Sequence, residues 1–246
     1  MTLLKVSRVT KHHADGRRTL AVLDNVSLEI EAGDFVGMWG PRRSGKSTLL
    51  RILAGIERPQ SGEIEFDGVK LGELSARRRA RLLRRGGIAL VKPVGGLSSN
   101  HTAVRDVALG LLADGLSMRQ AELQARRGLG EVGAGECADL KLDLLTLNER
   151  IRVALAGALV REPRLLLVDE PAVLSSLRET DALYRFLRSL GGRGDVALLI
   201  ASEELDPLHG ARRICSLSDG ELRSMESAGV VLPFRERRQS WSSRAS

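Results

Sequence analysis

Nine consecutive residues restrict this chain more than any others in it: Gly40-Pro41-Arg42-Arg43-Ser44-Gly45-Lys46-Ser47-Thr48. They fit G-x-x-x-x-G-K-[ST]. They stand between an apolar run of strand type, Phe35–Trp39, and a segment in which Leu49, Leu50, Ile52, Leu53 and Ile56 recur with a helical period. Such a loop cradles phosphate, because its backbone amides and the positive end of the following helix converge on anionic oxygens. Lys46 is then placed to reach the β- and γ-phosphates, and the Ser47 hydroxyl to ligand Mg²⁺. Strand, loop and helix agree, which sets aside a chance glycine-rich turn.

About 120 residues further on, Leu165-Leu166-Leu167-Val168-Asp169-Glu170 ends an apolar strand in two carboxylates. Alone, an Asp-Glu pair after a strand is more often a cap or a turn. Paired with the loop at Gly40–Thr48, it reads as the other half of a phosphoryl-transfer site. Asp169 holds Mg²⁺ through water and Glu170 orients the attacking water. The continuous apolar runs Leu165–Val168 and Val196–Ala201 suit parallel strands covered on both faces. Before the loop, Leu4–Val9 and Ala21–Ile30 alternate as strands do, with turn signals at Asp15-Gly16 and Ala32-Gly33-Asp34. Glu63–Phe66 with Asp67-Gly68 reads as a further hairpin arm. Residues 74–162 read as mostly helical, apart from Ile88–Val91 and the breaker-rich Pro93–Asn100. After Asp219-Gly220 the pattern fades, and residues 226–246 read as a basic polar tail that is expected to be disordered.

Composition narrows the class. At 246 residues there is room for one large domain with a small inserted subdomain, and no internal repeat supports a tandem pair. No run approaches the roughly 18 apolar residues of a membrane helix. The opening MTLLKVSRVTKHH lacks the apolar segment of a signal peptide. Only Cys137 and Cys215 are present, so a reducing, cytosolic setting is expected. The net charge is +7, with six lysines among 38 basic residues. The densest patch, Arg77–Arg85, has Leu82 and Leu83 as an apolar edge and reads first as a solvated helix face, second as a partner or membrane-proximal contact. Aromatic residues make up 3% of the chain, which leaves little to stack bases on, so nucleic acid is an unlikely partner. His12, His13, His101 and His209 show no metal spacing, and no G-x-S-x-G elbow occurs.

From about Leu3 to Leu222 the sequence resembles the ABC ATPase family. The likeness is carried by the two nucleotide motifs, by LDNVSLEIEAGDFVGMWG, LLRILAGIERPQSGEIEFDG and VREPRLLLVDEP, and by SLSDGEL near the end. LGELSARRRARLLRRGGIALV and the short spacer look most like subunits of lipoprotein-release and macrolide-type exporters. The resemblance implies an α/β fold. Its parts are a RecA-like P-loop NTPase core, an antiparallel β subdomain and an inserted helical subdomain at about 95–160, all within one ATP-binding domain over 1–225. It also implies ATP and Mg²⁺, and a place on the cytoplasmic face of the membrane beside an integral membrane transporter subunit. A head-to-tail homo- or heterodimer with another ABC ATPase subunit is implied as well, with each ATP between one subunit's P-loop and the other's signature helix.

The sequence departs from that family at several positions. Counted back from Asp169-Glu170-Pro171, the Leu-Ser-Gly-Gly-Gln signature falls on Leu145-Thr146-Leu147-Asn148-Glu149. Thr146 and Glu149 keep a T-x-x-E capping box, so a helix start is still encoded. Leu147, however, replaces a glycine that permits close backbone approach, and Glu149 adds negative charge near a triphosphate. Pro93 stands at the lid-loop glutamine with Lys92 beside it, Ser202 at the switch histidine, and Ser176 at a loop aspartate. His13 takes the place of the adenine-stacking aromatic. Arg43 stands where glycine is usual; either it strains the loop, or Arg42 and Arg43 add phosphate contacts. Two readings follow for the whole chain: an ATP-hydrolysing transporter subunit, or a degenerate nucleotide-binding module that turns ATP over little.

Overall fold

In a computed structural model, the alternating N-terminal segments form two long strands, β1 (Thr2–Asp15) and β2 (Arg18–Glu31). The structure describes residues 1–15, 18–84, 86–92, 100–170, 177–193, 196–205 and 208–225; Gly16, Pro93, Ser176 and residues 226–246 lie outside these. β1 and β2 pair antiparallel with β4 (Ser61–Phe66) and β5 (Val69–Lys70) in the order β2-β1-β4-β5. The β4–β5 turn is Asp67-Gly68, with φ of 52° and 76°, the two positive values that a two-residue hairpin of matching twist requires. Asp24-Asn25 does not interrupt β2. Asn25 takes a positive φ of 53°, and the Asp24 N–H donates to the Gly220 carbonyl at 2.8 Å, tying this sheet to its neighbour.

The second sheet contains β3 (Phe35–Trp39), β6 (Ile88–Val91), β7 (Leu165–Asp169), β8 (Ala197–Ser202), β9 (Arg213–Ser218) and β10 (Glu221–Met225). Its order is β10-β9-β3-β8-β7-β6, parallel throughout except for the β9–β10 hairpin. The apolar runs are continuous because both faces are covered. On β7, Leu165 and Leu167 join one core layer while Leu166 and Val168 join the other; on β8, Leu199 and Ala201 oppose Leu198 and Ile200.

The first layer is closed by the antiparallel sheet and by α1 (Lys46–Leu53), whose Leu49, Leu50, Ile52 and Leu53 are all buried. The second is covered by α3 (Ala103–Ala113), α4 (Met118–Glu131), α5 (Leu147–Leu159) and α6 (Leu177–Arg193). α2 (Ala76–Arg84) leaves Arg77, Arg78 and Arg81 exposed, while Leu82 packs on the first layer. That is the arrangement expected of a solvated helix face.

α4 and α5 approach closely where Gly128 faces Val160, and a Cβ at Gly128 would overlap the Val160 side chain. Gly128→Leu should therefore lower stability by about 1–3 kcal/mol through overpacking, and adding Val160→Ala should recover part of the loss. Urea-denaturation midpoints measure both. An unchanged midpoint for Gly128→Leu would mean that the helices do not meet there.

Candidate functional site

The phosphate loop leaves β3 and enters α1 with a backbone that tolerates few side chains. A Cβ on Gly40 would run into the Leu217 carbonyl, and one on Gly45 would stand 2.6 Å from the Val22 carbonyl. Gly45 caps α1 at φ 101°, while Arg43 adopts φ 65°. Glycine takes such angles freely, whereas a side chain there costs of order 1–3 kcal/mol. The sequence left strain at Arg43 as one alternative. The backbone here has the left-handed geometry that would produce it. Arg42 and Arg43 are both exposed at the rim.

Lys46 is the centre of the site. It is 5% exposed, and its Nζ donates to the Gly40 carbonyl at 2.7 Å and the Pro41 carbonyl at 3.0 Å. It also lies 3.2 Å from Glu170 Oε1. The Gly40 N–H in turn donates to the Ser202 carbonyl at 3.1 Å, which anchors the loop to the end of β8. The next three residues of α1 serve different ends. Ser47 stands against Asp169, Thr48 Oγ1 accepts from Arg51 at 3.1 Å, and Leu49 enters the core.

Glu170 reaches this cleft from the end of β7, and Asp169, buried next to it, stands against Ser47. Burial pushes the Asp169 carboxyl above the usual carboxylate range; the Ser47 hydroxyl, Lys46, Lys92 and Arg51 pull the other way. Burial likewise raises Glu170, opposed chiefly by Lys46. Glu170 has a positive φ of 44° and accepts from the Glu203 N–H at 3.3 Å through Oε2. Among the described residues, three buried oxygens here lack a hydrogen-bond partner: Ser44 Oγ, Asp169 Oδ1 and Glu170 Oε1, the last ion-paired with Lys46 outside hydrogen-bond geometry. Such orphaned atoms are costly unless a ligand, ion or water completes them.

The cleft, of about 470 Å³, brings together His13, Arg42, Arg43, Ser44, Gly45, Lys46, Ser47, Thr48 and Glu170. His13 is exposed on β1, 3.6 Å from Glu57 Oε1. Glu57 also holds Lys11 at 2.9 Å and Arg51 at 3.0 Å, so His13 sits at the edge of an ion-pair network at the cleft. Three lining residues, Val22, Arg51 and Glu203, were not singled out in the sequence. Glu203 follows the end of β8, beside the strand that bears Asp169. Position at the carboxyl end of a parallel strand is the signal that could have found it.

Ser202 is buried beneath the loop, its Oγ accepting from the Glu204 N–H at 3.1 Å. Residues 145–149 do not line this cleft. There the T-x-x-E box forms as the spacing predicts: Thr146 Oγ1 accepts from the Glu149 N–H at 3.3 Å, and Glu149 Oε2 accepts from the Thr146 N–H at 2.7 Å. Leu145 and Asn148 are buried, and Leu147 packs against the core. The side chains expected to obstruct a facing phosphate thus turn inward, and the Glu149 charge is held in its own cap. Pro93 and Ser176 lie outside the described residues.

Mg²⁺ would fit this donor set. No group of three His, Cys, Asp or Glu side chains is placed to hold a metal among the described residues. The Ser47 hydroxyl and the unpartnered Asp169 oxygen suit an ion that takes its other oxygens from substrate phosphates and water.

Comparison with known proteins agrees with this geometry. The ABC transporter family matches residues 23–173. A lipoprotein-releasing system ATP-binding protein, LolD 1 of Rhodospirillum rubrum, is 32% identical over 219 residues, 89% of this chain and 96% of that protein. The LolD protein of Shewanella frigidimarina is 32% identical over 221 residues, 90% of this chain and 92% of its own length. Among solved structures, the dimeric ATP-binding cassette MJ0796 in a post-hydrolysis state with ADP and Pi has a TM-score of 0.84 at 27% identity, covering 91% of this chain and 98% of that one. The structure of cbiO1 from Clostridium perfringens, part of the transporter complex cbiONQ, gives 0.76 at 25% identity, with 90% and 86% covered. A sequence match of that extent, on a fold shared with solved cassettes over nine-tenths of its length, makes the chain a member of the ABC transporter ATP-binding family.

Proposed function

We propose that this chain is the ATP-hydrolysing subunit of an ABC-type exporter, working from the cytoplasmic face of the membrane on an integral subunit supplied by another polypeptide. The observation that carries the reading is the convergence of Lys46, Ser47 and Glu170 on one cleft, with Asp169 buried against Ser47 and three buried oxygens there without a hydrogen bond among the described residues. The lipoprotein-releasing relatives support the export direction. The domain is taken as residues 1–225.

In this reading the loop amides and Lys46 take the phosphates, and Glu170 orients the attacking water. Bound by Ser47 and Asp169, Mg²⁺ supplies positive charge to the phosphate oxygens. The Lys46 ammonium, which the unliganded loop holds on two carbonyls and Glu170, exchanges these for phosphate oxygens. His13 borders the cleft and offers a flat ring to adenine. A second ATPase subunit, identical or different, completes the site with its own signature helix, while Thr146 and the start of α5 face the partner's nucleotide. Hydrolysis and product release then reopen the dimer.

The second reading, a subunit that binds ATP and turns it over little, is favoured by the left-handed Arg43 and by Ser202 with Glu203 at the end of β8. Turnover separates the two.

Saturating Mg-ATP should raise the melting temperature of the full chain by mass action, and Lys46→Ala should abolish that rise. A wild-type melting curve unmoved by Mg-ATP would end both readings. Hydrolysis by the chain alone should be slow, since each missing transition-state contact of this polar kind costs about 10²–10³ in rate. Ser202→His should increase it and Glu170→Gln remove it. Fast turnover in a phosphate-release assay would mean that Ser202 has been misread. Arg43→Gly should raise the stability of the nucleotide-free chain by about 1 kcal/mol by relieving the left-handed residue. A simultaneous loss of the Mg-ATP shift would show that its guanidinium contacts phosphate.

A further inference from the structure

Tyr184 carries a hydroxyl that is left without a hydrogen bond among the described residues. It stands on α6, 3% exposed, in the core layer with Leu183, Leu198 and Ile200. Phenylalanine would fill that place without a desolvated O–H, so packing alone gives no reason for tyrosine. The polar groups around the hydroxyl belong to the site. Ser202 lies beside it, outside hydrogen-bond geometry, and the carboxylates of Glu170 and Glu204 act on it electrostatically. Burial pushes the phenol well above the ordinary tyrosine range, so it remains protonated and can donate.

Glu170 has the complementary deficiency. Its Oε1 is buried without a hydrogen-bond partner, and Lys46, 3.2 Å away, neutralises it. Once phosphates claim the Lys46 ammonium, the Glu203 N–H at Oε2 is what still holds the carboxylate among the described residues. Ser202 Oγ already accepts from the Glu204 N–H, which leaves it one lone pair and its proton.

We propose that Tyr184 is a positioning residue for Glu170. With nucleotide bound, its hydroxyl donates to Ser202 Oγ, and the Ser202 hydroxyl donates to the carboxylate that Lys46 has released. The pair is a hydroxyl relay running from the α6 core into the cleft, and it fixes the group that orients the attacking water. The inference rests on the nucleotide reading above.

Single-turnover hydrolysis of labelled ATP by an excess of the full chain, over a range of chain concentrations, gives both the rate and the half-saturation point. Ser202→Ala should lower the rate by about tenfold, the worth of one hydrogen bond to a charged group, and Tyr184→Phe by about fivefold, the worth of one between neutral groups. Half-saturation and the Mg-ATP melting shift should stay at wild-type values. The melting temperature of nucleotide-free Tyr184→Phe should hold or rise, since an unpartnered buried O–H is deleted. A wild-type rate in Tyr184→Phe overturns the relay. So does a fall in stability and nucleotide binding in step with the rate, which would mark a structural role, and so does a chain that binds Mg-ATP without any turnover. A wild-type melting curve unmoved by Mg-ATP overturns the nucleotide reading itself, and this inference with it.

Discussion

The Lys46 ammonium, sunk where α1 meets the end of β3, is the point from which the rest of the site takes its shape. An ammonium so little exposed is tolerated only with partners, and it has three: the Gly40 and Pro41 carbonyls and the Glu170 carboxylate. Holding those carbonyls inward turns these acceptors toward the ammonium, while the Gly40 and Ser44 N–H groups are taken by the Ser202 and Pro41 carbonyls. The following residues of α1 then fall where the core needs them. Leu49, Leu50, Ile52 and Leu53 fill the layer between the two sheets, so the helix that presents the cation is also one of the best-anchored parts of the molecule.

That anchoring lets the cleft keep features that a packed interior would otherwise lose. Two non-glycine residues with left-handed backbones, Arg43 and Glu170, lie within it. Four buried polar atoms without a hydrogen bond among the described residues, on Ser44, Asp169, Glu170 and Tyr184, lie in or against it. Strain and unsatisfied groups persist where surrounding structure fixes them and where a ligand can relieve them. The Lys11–Glu57–Arg51 cluster nearby shows the contrast: its charges are paired with one another and ask for nothing from a ligand.

The start of α5 follows a different logic. Its helix terminus is closed by reciprocal bonds between Thr146 and Glu149, and Leu147 and Asn148 are turned into the protein. Glu149 Oε1 also accepts from the Cys137 thiol at 3.3 Å, and burial together with that carboxylate raises the thiol to about 11. Residues 145–149 therefore serve the helix and its core. What remains outward is a capped helix start, with an exposed threonine and the positive end of the backbone dipole.

The sequence by itself determined the strands, the turns at Asp67-Gly68 and Asp219-Gly220, and which two segments meet around Lys46, because each rests on local rules. Asp67-Gly68 and Asp219-Gly220 adopt the paired positive φ values that only such dipeptides accept easily, and β3, β7 and β8 lie where the continuous apolar runs put them. Gly40–Thr48 and Asp169-Glu170 were legible as two halves of one site because residue type and flanking pattern both point there. Only the tertiary structure decided which way a side chain faces when its neighbours come from distant segments. It turned Leu147 and Asn148 inward, brought Glu203 and Val22 to the cleft, and set the Tyr184 hydroxyl against Ser202. No spacing rule carries that information. A helical period shows that Tyr184 lies on the buried face of α6, but the strand end it meets is fixed by the order in which β3, β8 and β7 pair.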